Sequence, residues 1–119
     1  MAHGGFLRDH SDNPELASHM MHDYTQAQLD PQTRAMLDFA AKLTRTPAAM
    51  TQDDVQRLRN HGLSDEQILS TVLITCNFNF MTRLADSLGV EPPAGRQESH
   101  SQWMSDSAKS QDWLMTPRT

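Results

Sequence analysis

Apolar residues recur along this chain at helical spacing, and the pattern is strongest between residues 30 and 88. After Asp30-Pro31, the residues Ala35, Met36, Phe39, Ala40 and Leu43 mark one face until Thr46-Pro47 interrupts the run. Thr51, with Asp53 and Asp54 behind it, opens a further helix carrying Val55 and Leu58, and Gly62 closes it where a left-handed residue is wanted. Ser64 with Gln67 forms a capping box. Beyond it Ile68, Leu69, Val72, Leu73, Cys76, Phe80, Leu84 and Leu88 keep the 3.6-residue period as far as Gly89, with apolar residues on more than one face. The pattern predicts a central helix covered from two sides. Nearer the start, Asn13-Pro14-Glu15 supplies an N-cap, a proline for the first helical position and an acid for the first turn, predicting a helix to about Tyr24. Residues 1–12 carry no capping signal and read as the last turn of a preceding element.

The composition changes after Val90. Pro92-Pro93, Gly95 and a Ser/Gln-rich stretch leave Trp103, Met104, Trp113, Leu114 and Met115 as the main apolar residues. The expected organisation is therefore a helical domain over 1–90 and a polar tail over 91–119, partly disordered or docking on a neighbour and holding at most one short helix. A chain of 119 residues has room for one domain, and a helical core of this size buries a limited share of its surface. A homo-oligomer formed through helix 64–88 is the expected remedy.

Charge narrows the function classes. Ten Lys and Arg against fifteen Asp and Glu give a net charge of -5, without the basic cluster that nucleic acid binding requires. Neither a signal-peptide pattern nor a run of eighteen apolar residues occurs, so a cytoplasmic protein without a membrane partner is expected. Cys76, the single cysteine, rules out an intrachain disulfide and lies on the apolar stripe, where a packed core thiol is expected. His19 and His22 share a helix face with Asp23 nearby, but two ligands are too few for a metal site, and a solvated polar face is the expectation. Asn79, between Phe78 and Phe80, is expected to hydrogen-bond across a helix interface, and Arg83 with Asp86 to form a surface pair. No metal, nucleotide or flavin motif is visible, and no cofactor is expected.

Several of these motifs occur together in one order. They are Leu29-Asp30-Pro31 through Leu43-Thr44, Thr51 to Leu58, the Gly62-Leu63-Ser64 turn, Phe78-Asn79-Phe80, and Arg83-Leu84-Ala85-Asp86. In that order, over about residues 2–90, the chain resembles the AhpD-like, peroxidase-related branch of the carboxymuconolactone decarboxylase family. The resemblance implies an all-α AhpD-like helical bundle, oligomeric, and here truncated at its N-terminus. It also implies a redox dithiol of the form Cys-x-x-Cys-x-x-x-His preceded by a Glu. Ala2-His3-Gly4-Gly5-Phe6-Leu7-Arg8, followed by Pro14-Glu15-Leu16-Ala17, fits the continuation of that motif. His3 thus falls on the proton-relaying histidine, and the cysteines would lie before residue 1.

That departure bears on function. Peroxide reduction of this type uses one thiolate to attack oxygen and a second thiol to resolve the resulting sulfenic acid. The resemblance therefore implies a lineage of antioxidant, thiol-dependent oxidoreductases drawing on a thiol reductant partner, with this chain inactive by itself. Two alternatives stand beside it. One is a non-catalytic oligomerising helical module. The other is a thiol-independent enzyme of the lactone decarboxylase kind, which would need a pocket lined by His3 and a carboxylate.

Overall fold

The computed structural model describes residues 2–13, 15–91, 93–95, 98, 102 and 106. The tail residues Trp103, Met104, Trp113, Leu114 and Met115, and Pro14, lie outside the described residues. Among those described the regular structure is helical: α1 (Ala2–Asp9), α2 (Leu16–His22), α3 (Pro31–Arg45), α4 (Gln52–Asn60) and α5 (Asp65–Ser87). Short 3-10 turns occupy Tyr24–Gln26 and Pro47–Ala49. The expected all-helical class is thus the observed one. The helices group into two compact units, one containing α1 and α2, the other spanning Leu29–Val90.

In the second unit each helix starts where its capping residues dictate. Asp30 accepts from the Thr33 backbone N–H at 2.9 Å and from Thr33 Oγ1 at 2.6 Å, with Pro31 taking the first position of α3. Asp54 closes a capping box on Thr51 at the start of α4. Ser64 and Gln67 form the expected reciprocal pair at α5, with Ser64 N–H to Gln67 Oε1 at 2.8 Å and Gln67 N–H to Ser64 Oγ at 3.2 Å. Gly62 turns the chain between α4 and α5 at φ 85°, a conformation that clashes with a Cβ in other residues.

The core of this unit is Ala35 and Phe39 from α3, Leu58 from α4, Leu63 from the turn and Ile68 from α5. Met36, Leu43, Met50, Val55 and Val72 pack around it. Gln32 Nε2 donates to the His61 carbonyl at 3.0 Å and ties the start of α3 to the end of α4.

The first unit departs from expectation at three points. Residues 2–9 form a helix of their own rather than a terminal turn. Asn13 does not cap α2 directly: its Oδ1 accepts from the Glu15 N–H at 3.0 Å, and the helix begins at Leu16. The helix also ends at His22 rather than Tyr24. Asp23 there has extended backbone, and its carboxylate accepts from Thr25 N–H at 3.0 Å and Thr25 Oγ1 at 2.6 Å, nucleating the 3-10 turn. Gly4 is where α1 and α2 meet, since a Cβ at that position would overlap Met21 Sδ.

Helix α5 differs from expectation in a more consequential way. Its face carrying Ile68, Val72, Thr75 and Asn79 packs or is half-covered, but Leu69, Leu73, Ile74, Phe78, Phe80, Met81 and Leu84 are exposed. The second cover that the two-sided apolar pattern called for is not supplied by the described residues.

Candidate functional site

His3 lies one residue into α1 and is exposed. Cys76 lies eleven residues into α5, roughly 16 Å along the axis from its first residue. The thiol is exposed, not packed in the core as its place on the apolar stripe suggested. Periodicity assigns a residue to a helix face but does not say whether that face finds a neighbour.

The histidines of α2 are half-buried rather than fully solvated. His22 Nδ1 is buried and has no hydrogen-bond partner among the described residues. Asp23, which could have joined them, has its carboxylate on Thr25 and Gln26. The Thr25 side-chain hydrogen bond, then the Thr25 backbone N–H, hold the Asp23 carboxyl below its ordinary value. Among the described residues no group of three His, Cys, Asp or Glu could hold a metal ion.

Several polar contacts join helices within the second unit. Asn79 Nδ2 donates to Thr44 Oγ1 at 3.0 Å, tying α5 to the end of α3, as expected for an amide set among aromatic residues. Arg83 turns to the same place, donating to the Asn79 carbonyl at 3.3 Å and to the Thr44 carbonyl at 3.4 Å. It thereby reinforces the Asn79 junction, where a surface pairing with Asp86 had been expected. Lys42 Nζ reaches both oxygens of Asp54 at 2.7 Å, clamping α3 to α4. That contact, followed by the Thr51 N–H, holds the Asp54 carboxyl below its usual range. Sequence reading did not pair Lys42 with Asp54 or Asn79 with Thr44, because nothing in a helical period links residues twelve or thirty-five positions apart.

Concavities among the described residues of this unit include two of interest. An open groove of about 550 Å³ is lined by Phe39, Leu43, Met50, Val55 and Val72, with Thr51 and Gln52 beside them. Its lining holds no carboxylate, histidine, lysine or cysteine, so it suits apolar surface rather than proton transfer. The other, about 40 Å³ beside Asp38, Lys42, Asp54 and Arg57, has room for little more than a water molecule. Neither has His3 and a carboxylate in its lining, the pair that thiol-independent acid–base chemistry called for.

Solved structures place this arrangement. The chain is similar to an uncharacterized peroxidase-related protein from Silicibacter sp. TM1040, with 38% identity and a TM-score of 0.74, over 86% of this chain and 52% of that one. It is also similar to the alkylhydroperoxidase AhpD core of an uncharacterized peroxidase-related protein from Ralstonia eutropha JMP134. There the identity is 34% and the TM-score 0.68, over 78% of this chain and 49% of the other. The chain is AhpD-like in sequence and fold. No family model matches this AhpD-like chain, and no curated protein matches it. The AhpD-like chain spans about half the length of the solved relatives. It shares their peroxidase-related, helical lineage, and its 119 residues hold one thiol.

Proposed function

We propose that this chain carries the helical scaffold of a thiol-dependent, peroxide-reducing AhpD-like protein and does not turn over peroxide by itself. The observation that supports this reading is the setting of Cys76: one exposed thiol in the middle of α5, with no second thiol in the sequence. Attack of a thiolate on a peroxide breaks the O–O bond, releases an alcohol or water and leaves a sulfenic acid. A second thiol must then displace water from that sulfenic acid to form a disulfide, which an external dithiol reductant returns to the starting state. A solitary Cys76 can take the first step but has no internal partner for the second. On this reading His3, through its place in the motif, would relay protons to a dithiol outside these residues, and the whole protein would serve cytoplasmic antioxidant defence.

The test is consumption of hydrogen peroxide and of an organic hydroperoxide in the presence of dithiothreitol. Because dithiothreitol can itself resolve a sulfenic acid on an exposed thiol, the expected result for the native chain is a rate no faster than that of N-acetylcysteine at equal thiol concentration, and for Cys76→Ser the rate of buffer. Turnover well above that of the free thiol that vanishes in Cys76→Ser would overturn the reading. The lineage half has its own test, in which protein isolated from its native source is alkylated and its intact mass measured. Two thiols beyond Cys76 would support the dithiol assignment, and Cys76 alone would refute it.

A further inference from the structure

Methionine accounts for eight of the 119 residues, and Met20, Met21, Met36, Met50 and Met81 lie among the described ones. They differ in two respects that decide what oxidation of the sulfur does: whether an oxidant can reach it, and whether the side chain holds other elements in place. Met81 is 52% exposed on α5 and is not among the residues packed on the core. Met36 packs on the core but does not line the open groove. Met20 and Met21 belong to the first unit, where the Met21 sulfur rests against Gly4. Met50 meets both conditions. It is half-buried against the core cluster, and it forms part of the groove wall with Phe39, Leu43, Val55 and Val72.

Its place in the chain adds to this. The Met50 N–H donates to the Pro47 carbonyl at 3.2 Å, closing the 3-10 turn that follows α3. The next residue, Thr51, is the N-cap of α4. The Met50 side chain is therefore the apolar anchor of the α3–α4 connection.

We infer that Met50 is a peroxide-responsive switch, whose oxidation to the sulfoxide withdraws it from the core and loosens the junction of α3 with α4. The thioether sulfur attacks one oxygen of hydrogen peroxide and the O–O bond breaks. That oxygen stays on sulfur, and the other leaves as water after taking up the proton. Sulfur loses two electrons and the peroxide gains them, with no thiol or cofactor involved, so the inference stands apart from the peroxidase reading and from Cys76. The product is a polar acceptor on what was an apolar side chain. Phe39, Leu43, Val55 and Val72 offer it no donor, whereas water and the Gln52 side-chain amide at the groove edge do. The sulfoxide consequently turns outward and leaves Phe39 and Val72 without their cover. The same reaction at Met81 adds oxygen to a side chain that is already in water. Sulfoxide reductases reverse the change, which makes it a switch rather than damage.

The experiment uses the full chain carrying Cys76→Ser, so that thiol oxidation does not contribute. It is treated with hydrogen peroxide in a dose series under native conditions. The sulfoxide fraction at each methionine is read by peptide mass spectrometry, and stability by urea unfolding followed by far-UV circular dichroism. The urea midpoint should fall by on the order of 1 M, in proportion to sulfoxide at Met50 and not at Met81. Met50→Leu, which conserves volume, should keep its midpoint through the same treatment, while Met81→Leu should lose as much as its parent. Methionine sulfoxide reductases A and B with dithiothreitol should restore the parent midpoint. A Met50 still reduced when Met81 is fully oxidised overturns the inference, because the groove would then not admit peroxide. So does a midpoint that follows Met81, one that stays put while Met50 is oxidised, or an equal fall in Met50→Leu.

Discussion

Leu58→Ala tests the account of the core directly. Leu58 is 1% exposed and lies among Ala35, Phe39, Leu63 and Ile68, where α3, α4 and α5 meet. Truncation removes three carbon groups, at about 0.8 kcal/mol each in transfer free energy. The cavity left behind adds to this, bringing the loss to about 3 kcal/mol, within the ~2–5 range for buried Leu-to-Ala changes. For a unit of roughly 60 residues the whole stability is about 3–9 kcal/mol, so the change removes between a third and all of it. Urea unfolding followed by far-UV circular dichroism at fixed protein concentration reads the effect. With a slope near ~1 kcal/mol per molar urea, the midpoint should fall by about 3 M, or the variant should be unfolded in buffer. Leu88→Ala makes the same chemical change at a position 71% exposed and should cost below about 0.5 kcal/mol. Equal losses in the two variants would refute the assignment of Leu58 to the centre of the core.

Other expectations follow from the same packing. Asp54 has its carboxyl held below the ordinary value by Lys42 and Thr51, so its contribution is present above the unfolded carboxylate pKa of about 4 and lost as pH falls through the lowered folded value. Asp54→Asn should therefore melt lower than the native chain at pH 7 and show a flatter decline between neutral pH and pH 3, measured by thermal unfolding across that range. An equally steep decline in the variant would show that Asp54 is not the group responsible. Gly62→Ala forces an L side chain to φ 85° and should destabilise by about 1–2 kcal/mol, with Gly95→Ala no guide to it because that glycine has open space around it and lies outside the core unit. Ser64→Ala removes the acceptor for the Gln67 N–H and should cost about 1 kcal/mol by urea unfolding, whereas Ser64→Asn should recover most of it. No difference between the Ala and Asn variants would mean that the cap does not hold the start of α5.

Much of the fold was legible because its signals are local. Asp30-Pro31, the Thr51 box, the Ser64–Gln67 pair and the positive-φ glycines Gly62 and Gly89 each act within one helical turn, and the helix limits follow them. The order of Phe78-Asn79-Phe80 and Arg83-Leu84-Ala85-Asp86 likewise placed the chain in the AhpD-like lineage, to which the solved relatives assign it. Asn79 was expected to bridge helices because an amide inside an apolar run needs a partner, though the identity of Thr44 was not to be had from periodicity.

What remained for the tertiary structure was everything that depends on which faces meet. The start of α2 slipped from Asn13 to Leu16 because Asn13 could satisfy Glu15 in a turn before the helix began, a choice that capping preference alone leaves open. Lys42 and Asp54, each unremarkable on its own helix, became a clamp only when α3 and α4 crossed. Cys76 shows the limit most clearly. The sequence by itself determined that it stands on an apolar stripe of a long helix, because helical geometry is a property of neighbouring residues. Only the packing of α5 against α3 and α4 decided that this stripe stays exposed among the described residues, since burial is a property of the space around a helix and not of the helix itself.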